Sequence, residues 1–439
     1  MYRKIMSFLE EWKESKYRKP LILQGARQVG KTYSVLEFGR KAYENVAYFN
    51  FETNPKLNET FEENISPDYL IPILSHIAGQ TIVREKTLIV FDEIQLCERA
   101  LTSLKYFCED APDYHIIVAG SLLGVAVNRK KFSFPVGKVD MKTLYPMDIE
   151  EFMIAQGEEA LVEQIKKCFE TDSPMPSALH DAAMQLYRQY LVVGGMPECV
   201  MQFAETKDYI LVRHTQDTII ASYLNDMSKY PKGLAPRRNN LNEIKKTRLV
   251  YDNITVQLSK KNTRFQYKLI KKGGRASEFE NAIEWLCLSG IVSRVYKVEQ
   301  IRKPLENYRN IDAFKIYVSD LGLLCAKKNL AANDILYMVE ELNDFKGGMA
   351  ENYVNVQLTI NGYHTYYWES ARGAEIDFVI QRDGQLIPIE VKSADNTKAK
   401  SLKVYMDTYK PAYAIKLSAK NFAFEDGKKV VPLYAAFCI

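Results

Sequence analysis

The chain has no apolar run of the roughly 18 residues a membrane-crossing helix needs. Its best stretch, HIIVAGSLLGVAV, is shorter and broken by glycine and serine, so no membrane span is expected. The opening MYRKIMSFLEEWKES lacks the apolar core and small-residue cleavage site of a secretory signal and reads instead as an amphipathic helix. There is no CxxC pair. The seven cysteines (97, 108, 168, 199, 287, 325, 438) are scattered, and the five histidines do not cluster near them. That excludes a zinc finger and a disulfide framework, makes each cysteine core filler, and points to a reducing, cytoplasmic setting. What remains is ordinary globular composition, 47% hydrophobic and 26% charged, over 439 residues, a length that suits two to four domains.

Charge is unevenly spread. Residues 229–275 hold fourteen Lys or Arg against Glu243 and Asp252 alone, a net +12, so the remainder sums to −8. Such asymmetry reads either as a footprint for an acidic partner such as DNA or as a solvated basic face.

The strongest motif lies near the start. PLILQGARQVGKTYSVLEF runs from an apolar strand through a glycine loop into a helix. Gly25, Ala26, Arg27, Gln28, Val29, Gly30, Lys31 and Thr32 satisfy GxxxxGK[ST] in full. The glycines permit the backbone conformations that aim N–H groups at a phosphate. Lys31 then reaches the β- and γ-phosphates, and Thr32 offers a hydroxyl to Mg²⁺. A later strand, KTLIVFDEIQ, ends in Asp92 and Glu93. Asp92 is placed to hold the magnesium through water, and Glu93 to polarise the attacking water. No guanine-reading NKxD motif appears, which favours ATP. The alternation of strand and helix, with NVAYFNFET and YHIIVAGS as further strands, gives an α/β domain with a mostly parallel sheet.

GARQVGKTYSV, LIVFDEIQ, VAGSLLGVAV, FPVGKVDMKTLYPMDIEEF and VVGGMPECV occur in that order. Together they resemble a family of bacterial and archaeal AAA-type P-loop ATPases that carry a C-terminal domain of unknown function. The resemblance implies the AAA sheet order, with the Walker B strand not next in sequence to the loop strand, and a polar γ-phosphate sensor at Ser121. Relatives tend to carry arginine where this chain has Lys138, and lysine lacks the planar fork suited to a phosphoryl group.

Further along, Ser277 and Glu280 read as a capping box before an apolar helix that Gly290 stops. IVSRVYKV and AFKIYVSD bracket a polar loop, residues 300–312, in the manner of a wing. A winged helix is the natural reading, and the resembled family carries one here. It serves DNA or a protein partner. Glu278, Glu280 and Glu284 on its helix argue against deep insertion in a major groove.

In DFVIQRDGQLIPIEVKSA, Asp383-Gly384 is the favoured pair for a type I′ turn. That turn places Phe378 opposite Ile389, Asp377 opposite Glu390 and Glu375 opposite Lys392. Facing carboxylates repel unless a cation lies between them, and a divalent Mg²⁺ or Mn²⁺ held by Asp377 and Glu390 would serve. Glu351, read as early in a helix, together with Asp377, Glu390 and Lys392 matches the PD-(D/E)xK nuclease-like pattern, with Lys392 helping an attacking water. The other reading is a nuclease-like fold without catalysis, in which Lys392 pairs Glu375.

The expected organisation is therefore an AAA-type ATPase domain over 1–150, a helical lid or linker over 151–228, a winged-helix region over 229–335, and a nuclease-like domain over 336–439. The leading expectation is an ATPase whose nucleotide state regulates a DNA-directed module. The alternatives are an ATP-dependent interaction protein with an inactive nuclease-like domain, and a motor acting on protein.

Overall fold

The computed structural model describes residues 1–120, 134–228, 240–260, 264–393 and 400–439. Ser121 and Arg237–Arg238 fall outside them, so the sensor expectation and part of the basic segment lie outside the described residues. The chain divides into two compact units, residues 2–145 with 288–290, and residues 146–287 with 291–439. Among the described residues no helix is long and apolar enough to cross a membrane.

The first unit begins with the amphipathic helix Ile5–Glu14, which buries Ile5, Leu9 and Trp12. Five strands follow: β1 Leu21–Gln24, β2 Asn45–Asn50, β3 Thr87–Asp92, β4 His115–Ala119 and β5 Asp140–Thr143. They form one sheet in the order β2-β3-β4-β1-β5, parallel at every pairing. Every residue of β3 and β4 is buried, which is why both read as unbroken apolar runs rather than alternating ones. β4 lies between β1 and β3, so the strand bearing Asp92 is separated from the loop strand, as the resemblance implied. On one side of the sheet Phe49, Phe51, Phe61 and Phe91 pack ring against ring, with centroids 5.6–5.8 Å apart.

The second unit contains an eight-stranded sheet among the described residues, ordered β12-β13-β11-β10-β9-β8-β6-β7. Its strands are β6 Val292–Val298, β7 Arg309–Val318, β8 Tyr366–Glu369, β9 Glu375–Arg382, β10 Gln385–Val391, β11 Ala414–Ser418, β12 Ala423–Glu425 and β13 Lys428–Pro432. The hairpin β6–β7, read from sequence as a wing, does not stand alone. β6 pairs in parallel with β8, so one sheet carries strands from both sides of residue 335. The helix beside it spans Ala276–Leu288 and starts before Ser277, which therefore lies in the first turn rather than at the cap.

Two motifs of the resembled family meet in this unit. Met147 N–H donates to the Gly195 carbonyl at 2.7 Å, and Gly195 N–H donates to Asp320 Oδ2 at 2.6 Å. The other oxygen of Asp320 accepts from Leu323 N–H at 2.8 Å and caps the helix Leu321–Lys327. A Cβ on Gly195 would lie 1.9 Å from the Met147 carbonyl oxygen, so no side chain fits there. YPMDIEEF and VVGGMPE are thus bound to one another by backbone.

Candidate functional site

The nucleotide loop connects β1 to the helix Lys31–Ala42. Gly25 (φ 147°), Gln28 (φ 66°) and Gly30 (φ 89°) all take positive φ, while Ala26 and Val29 point into the core. A side chain at Gly25 would also collide with the Leu144 carbonyl oxygen, 2.1 Å from its Cβ position. Arg3, itself buried, braces the loop by donating to the carbonyls of Val29 (3.0 Å) and Tyr145 (2.9 Å). The sequence reading did not single out Arg3, because its partners are backbone atoms distant along the chain.

Lys31 is 7% exposed and donates to the carbonyls of Gly25 (2.8 Å) and Ala26 (2.7 Å). Burial lowers its pKa to about 8, against the pull of Glu93 and Asp92, which raise it. Thr32 sits at the first turn of the same helix, and its hydroxyl donates to Asp92 Oδ2 at 2.9 Å. Tyr48, on β2, donates to that same oxygen at 2.8 Å, and Glu93 N–H donates to Asp92 Oδ1 at 3.0 Å. The register Asn50↔Asp92 explains the contact, since it sets Tyr48 two residues back on the neighbouring strand. Glu93 takes a left-handed conformation (φ 52°) and accepts a hydrogen bond from Gln95. Burial raises its pKa and Asp92 adds to the rise, while the Gln95 bond opposes it. Lys31, Thr32, Asp92 and Glu93 therefore converge as the motifs implied. The hydroxyl of Thr32 and the carboxylate of Asp92, already in contact, are the hard oxygen donors that suit Mg²⁺.

In the second unit the turn is as expected: Asp383 (φ 49°) and Gly384 (φ 72°) both lie left-handed, the signature of type I′. The ladder pairs Phe378↔Ile389 through Arg382↔Gln385, the anticipated register. Beyond Phe378 the two strands part: β9 pairs with β8 through Ile376 and Glu375, and Lys392 N–H donates to Leu417. Of the four sequence-derived positions, Glu390 and Lys392 pair with each other, while Glu351 and Asp377 take other partners. Glu351 lies in the middle of the helix Asn343–Ile360, not early in it, because the helix begins upstream of the Gly347-Gly348 pair. Its Oε2 accepts from Tyr317 (2.8 Å) and Lys315 (3.1 Å). Asp377 Oδ2 accepts from Val391 N–H at 2.7 Å. Glu390, almost fully buried, pairs through Oε1 with Lys392 at 2.6 Å, and its Oε2 is buried without a hydrogen-bond partner among the described residues.

One expectation needs correcting. Lys392 pairs with Glu390; Glu375 instead pairs with Lys315 at 2.5 Å. Among the described residues no group of three or more His, Cys, Asp or Glu side chains is placed to hold a metal ion. A second cation, Lys315, on β7 and 1% exposed, pairs with Glu351 and Glu375. Burial alone would lower its pKa, but Glu351, with Tyr317, Glu375 and Asp377, holds it well above the usual lysine range. Burial raises the Asp377 pKa, and the negative charge of Glu351 adds to this. A sequence signal existed for Lys315: a lone lysine inside the apolar strand AFKIYV must be paired if that strand is buried.

Parts of the basic segment are already engaged locally. Lys246 pairs with Glu243 and Lys271 with Glu278, while Lys245, Lys268, Lys272 and Arg275 are exposed.

The parallel five-stranded sheet, the glycine loop and the Thr32–Asp92 contact define the first unit as a P-loop NTPase fold. Residues 17–153, most of this unit, match the family model described as AAA domain. Two models described as domains of unknown function match further parts of the chain, DUF8612 over residues 184–334 and DUF4143 over 346–436. No curated relative matches. Solved structures similar to the chain include a Walker-type ATPase of Pyrococcus abyssi (14% identity, 74% of this chain and 95% of that one, TM-score 0.44). The Thermotoga maritima RuvB Holliday junction branch migration motor (14%, 66% and 88%, TM-score 0.29) is another. A third is the Aeropyrum pernix ORC2 protein (11%, 80% and 95%, TM-score 0.34).

Proposed function

We propose that the chain binds and hydrolyses ATP with Mg²⁺ and that its nucleotide state regulates the C-terminal module. The observation that carries the ATP part is the convergence of Lys31, Thr32, Asp92 and Glu93 at the ends of β1 and β3. Lys31 would exchange its carbonyl partners for β- and γ-phosphate oxygens. Thr32 and Asp92 would hold the ion, which supplies charge neutralisation on the phosphates when bound. Glu93, its proton affinity raised by burial, would take the proton of the attacking water. Lys31→Ala should weaken ATP binding and abolish turnover, whereas Glu93→Gln should bind ATP and stall. Equal ATP affinity in wild type and Lys31→Ala would sink the assignment.

For the C-terminal module the leading reading is a DNA-directed nuclease-like domain, preceded by a winged-helix region, with exposed cations of residues 240–275 contributing backbone contacts. The second reading is an interaction module without catalysis. Lys315 favours it, because a buried ammonium already pairs the helical acid Glu351. Incubation with linear and circular DNA, with and without ATP and Mg²⁺ or Mn²⁺, separates the two. Metal-dependent cleavage supports the first. Salt-sensitive binding without cleavage supports the second. Neither outcome would leave a protein partner.

A further inference from the structure

We infer that Lys315 is a built-in counter-ion of Glu351 and Glu375, beside the Asp377–Glu390 pair, and that its fixed charge keeps a divalent metal from binding among these carboxylates. The inference deepens the non-catalytic reading of the C-terminal domain and rests on its nuclease-like fold.

The argument starts from the cost of burying an ammonium. Lys315 is 1% exposed, on a strand whose neighbours Phe314, Ile316 and Tyr317 are also buried. An unpaired charge there would be prohibitive, so its pairing is obligatory. It makes two contacts to carboxylates from different elements, Glu351 Oε2 on the helix Asn343–Ile360 (3.1 Å) and Glu375 Oε1 at the start of β9 (2.5 Å). Its amine also lies 5.2 Å from the centroid of the Tyr367 ring. Tyr317, two residues along the same strand face, donates to the same oxygen of Glu351 at 2.8 Å. Glu351 is the helical acid of the PD-(D/E)xK pattern, and β7 supplies two donors to its Oε2. Asp377 gives one oxygen to Val391 N–H, and Glu390 gives one to Lys392. A dication brought among these groups would face a fixed ammonium in a poorly screened interior. The strand read from sequence as half of a wing is thus what closes the cluster, and it can do so because β6–β7 extends the C-terminal sheet.

The test counts Mn²⁺ bound per full-length chain, without nucleotide, by the loss of the free-ion paramagnetic signal. It compares wild type, Asp377→Asn, Lys315→Met and the double variant Lys315→Met/Asp377→Asn. Any ion at the nucleotide loop is common to all four and cancels. Wild type and Asp377→Asn should bind equal numbers of ions. Lys315→Met should gain one, and the double variant should lose it again. A wild type that loses an ion on Asp377→Asn overturns the inference while leaving the nuclease-like reading intact, as does a folded Lys315→Met that gains none. If Lys315→Met does not fold, the first comparison decides alone. DNA retention, measured separately, tests the nuclease-like reading without bearing on the ion counts.

Discussion

Gly195→Ala is a substitution whose cost the geometry specifies closely. The new methyl would start 1.9 Å from the Met147 carbonyl oxygen and 2.8 Å from its nitrogen, and both are backbone atoms that cannot rotate away. Relief requires the two segments to separate by more than about 1 Å, given ordinary carbon–oxygen contact near 3.3–3.6 Å. That movement strains the Met147–Gly195 hydrogen bond (2.7 Å) and the Gly195–Asp320 hydrogen bond (2.6 Å) together. Overpacking of this kind costs about 1–3 kcal/mol. A lost backbone bond adds about 1 kcal/mol, and one to a buried carboxylate about 1.5–3 kcal/mol. The sum is about 3.5–7 kcal/mol. At about 2.1 cal/mol/K per residue, each kcal/mol shifts the melting of a unit this large by about 1.6 °C, so a fall of about 6 °C or more is expected. Because a chain of two units need not unfold in one step, thermal melting should be paired with hydrogen exchange at the amides of Met147, Gly195 and Leu323. Gly347→Ala is the control. Its Cβ meets nothing within 4 Å, it lies inside the helix Asn343–Ile360, and it should stabilise by about 0.5–1 kcal/mol. If Gly195→Ala melts with wild type and leaves exchange unchanged, the reasoning fails.

Tyr48→Phe should leave Mg²⁺-free ATP binding intact but raise the Mg²⁺ concentration needed for tight binding about fivefold, since Asp92 loses a donor worth about 1 kcal/mol. A fluorescent ATP analogue titrated with Mg²⁺ reads this directly, and an unchanged titration would dismiss Tyr48 as a positioning residue. Asp320 gives a pH signature. Burial raises its pKa from the ordinary 3.8 to about 6, so its stabilising contribution is complete below pH 3.8 and is lost as pH rises through about 6. The loss is on the order of 3 kcal/mol. Asp320→Asn cannot ionise, so its stability should fall less than that of wild type between pH 4 and pH 7. Parallel pH profiles of unfolding in the two proteins would refute the assignment.

The local features of this chain were legible in its sequence, because each depends on contiguous residues. GxxxxGK[ST] dictates a strand–loop–helix turn through the φ freedom of two glycines, and Asp383-Gly384 dictates a type I′ turn and hence the register of β9 with β10. Unbroken apolar runs announced the buried parallel strands. Which side chains those elements bring together was decided elsewhere. The β9–β10 ladder ends at Phe378, where the Asp377 side chain takes the Val391 N–H, so the expected facing of Glu375 and Lys392 gave way to separate pairs. Arg3 under the nucleotide loop, Tyr48 on Asp92, and Asp320 beneath Gly195 join residues distant in sequence, and no local periodicity encodes them. Lys315 is the clearest instance. The sequence by itself required that a lysine in AFKIYV find a counter-charge if buried. Only the continuation of β6–β7 into the eight-stranded sheet decided that the counter-charges would be Glu351 and Glu375, because desolvation sets a cost for every buried charge but only the packing of strands sets which partners are near enough to meet it.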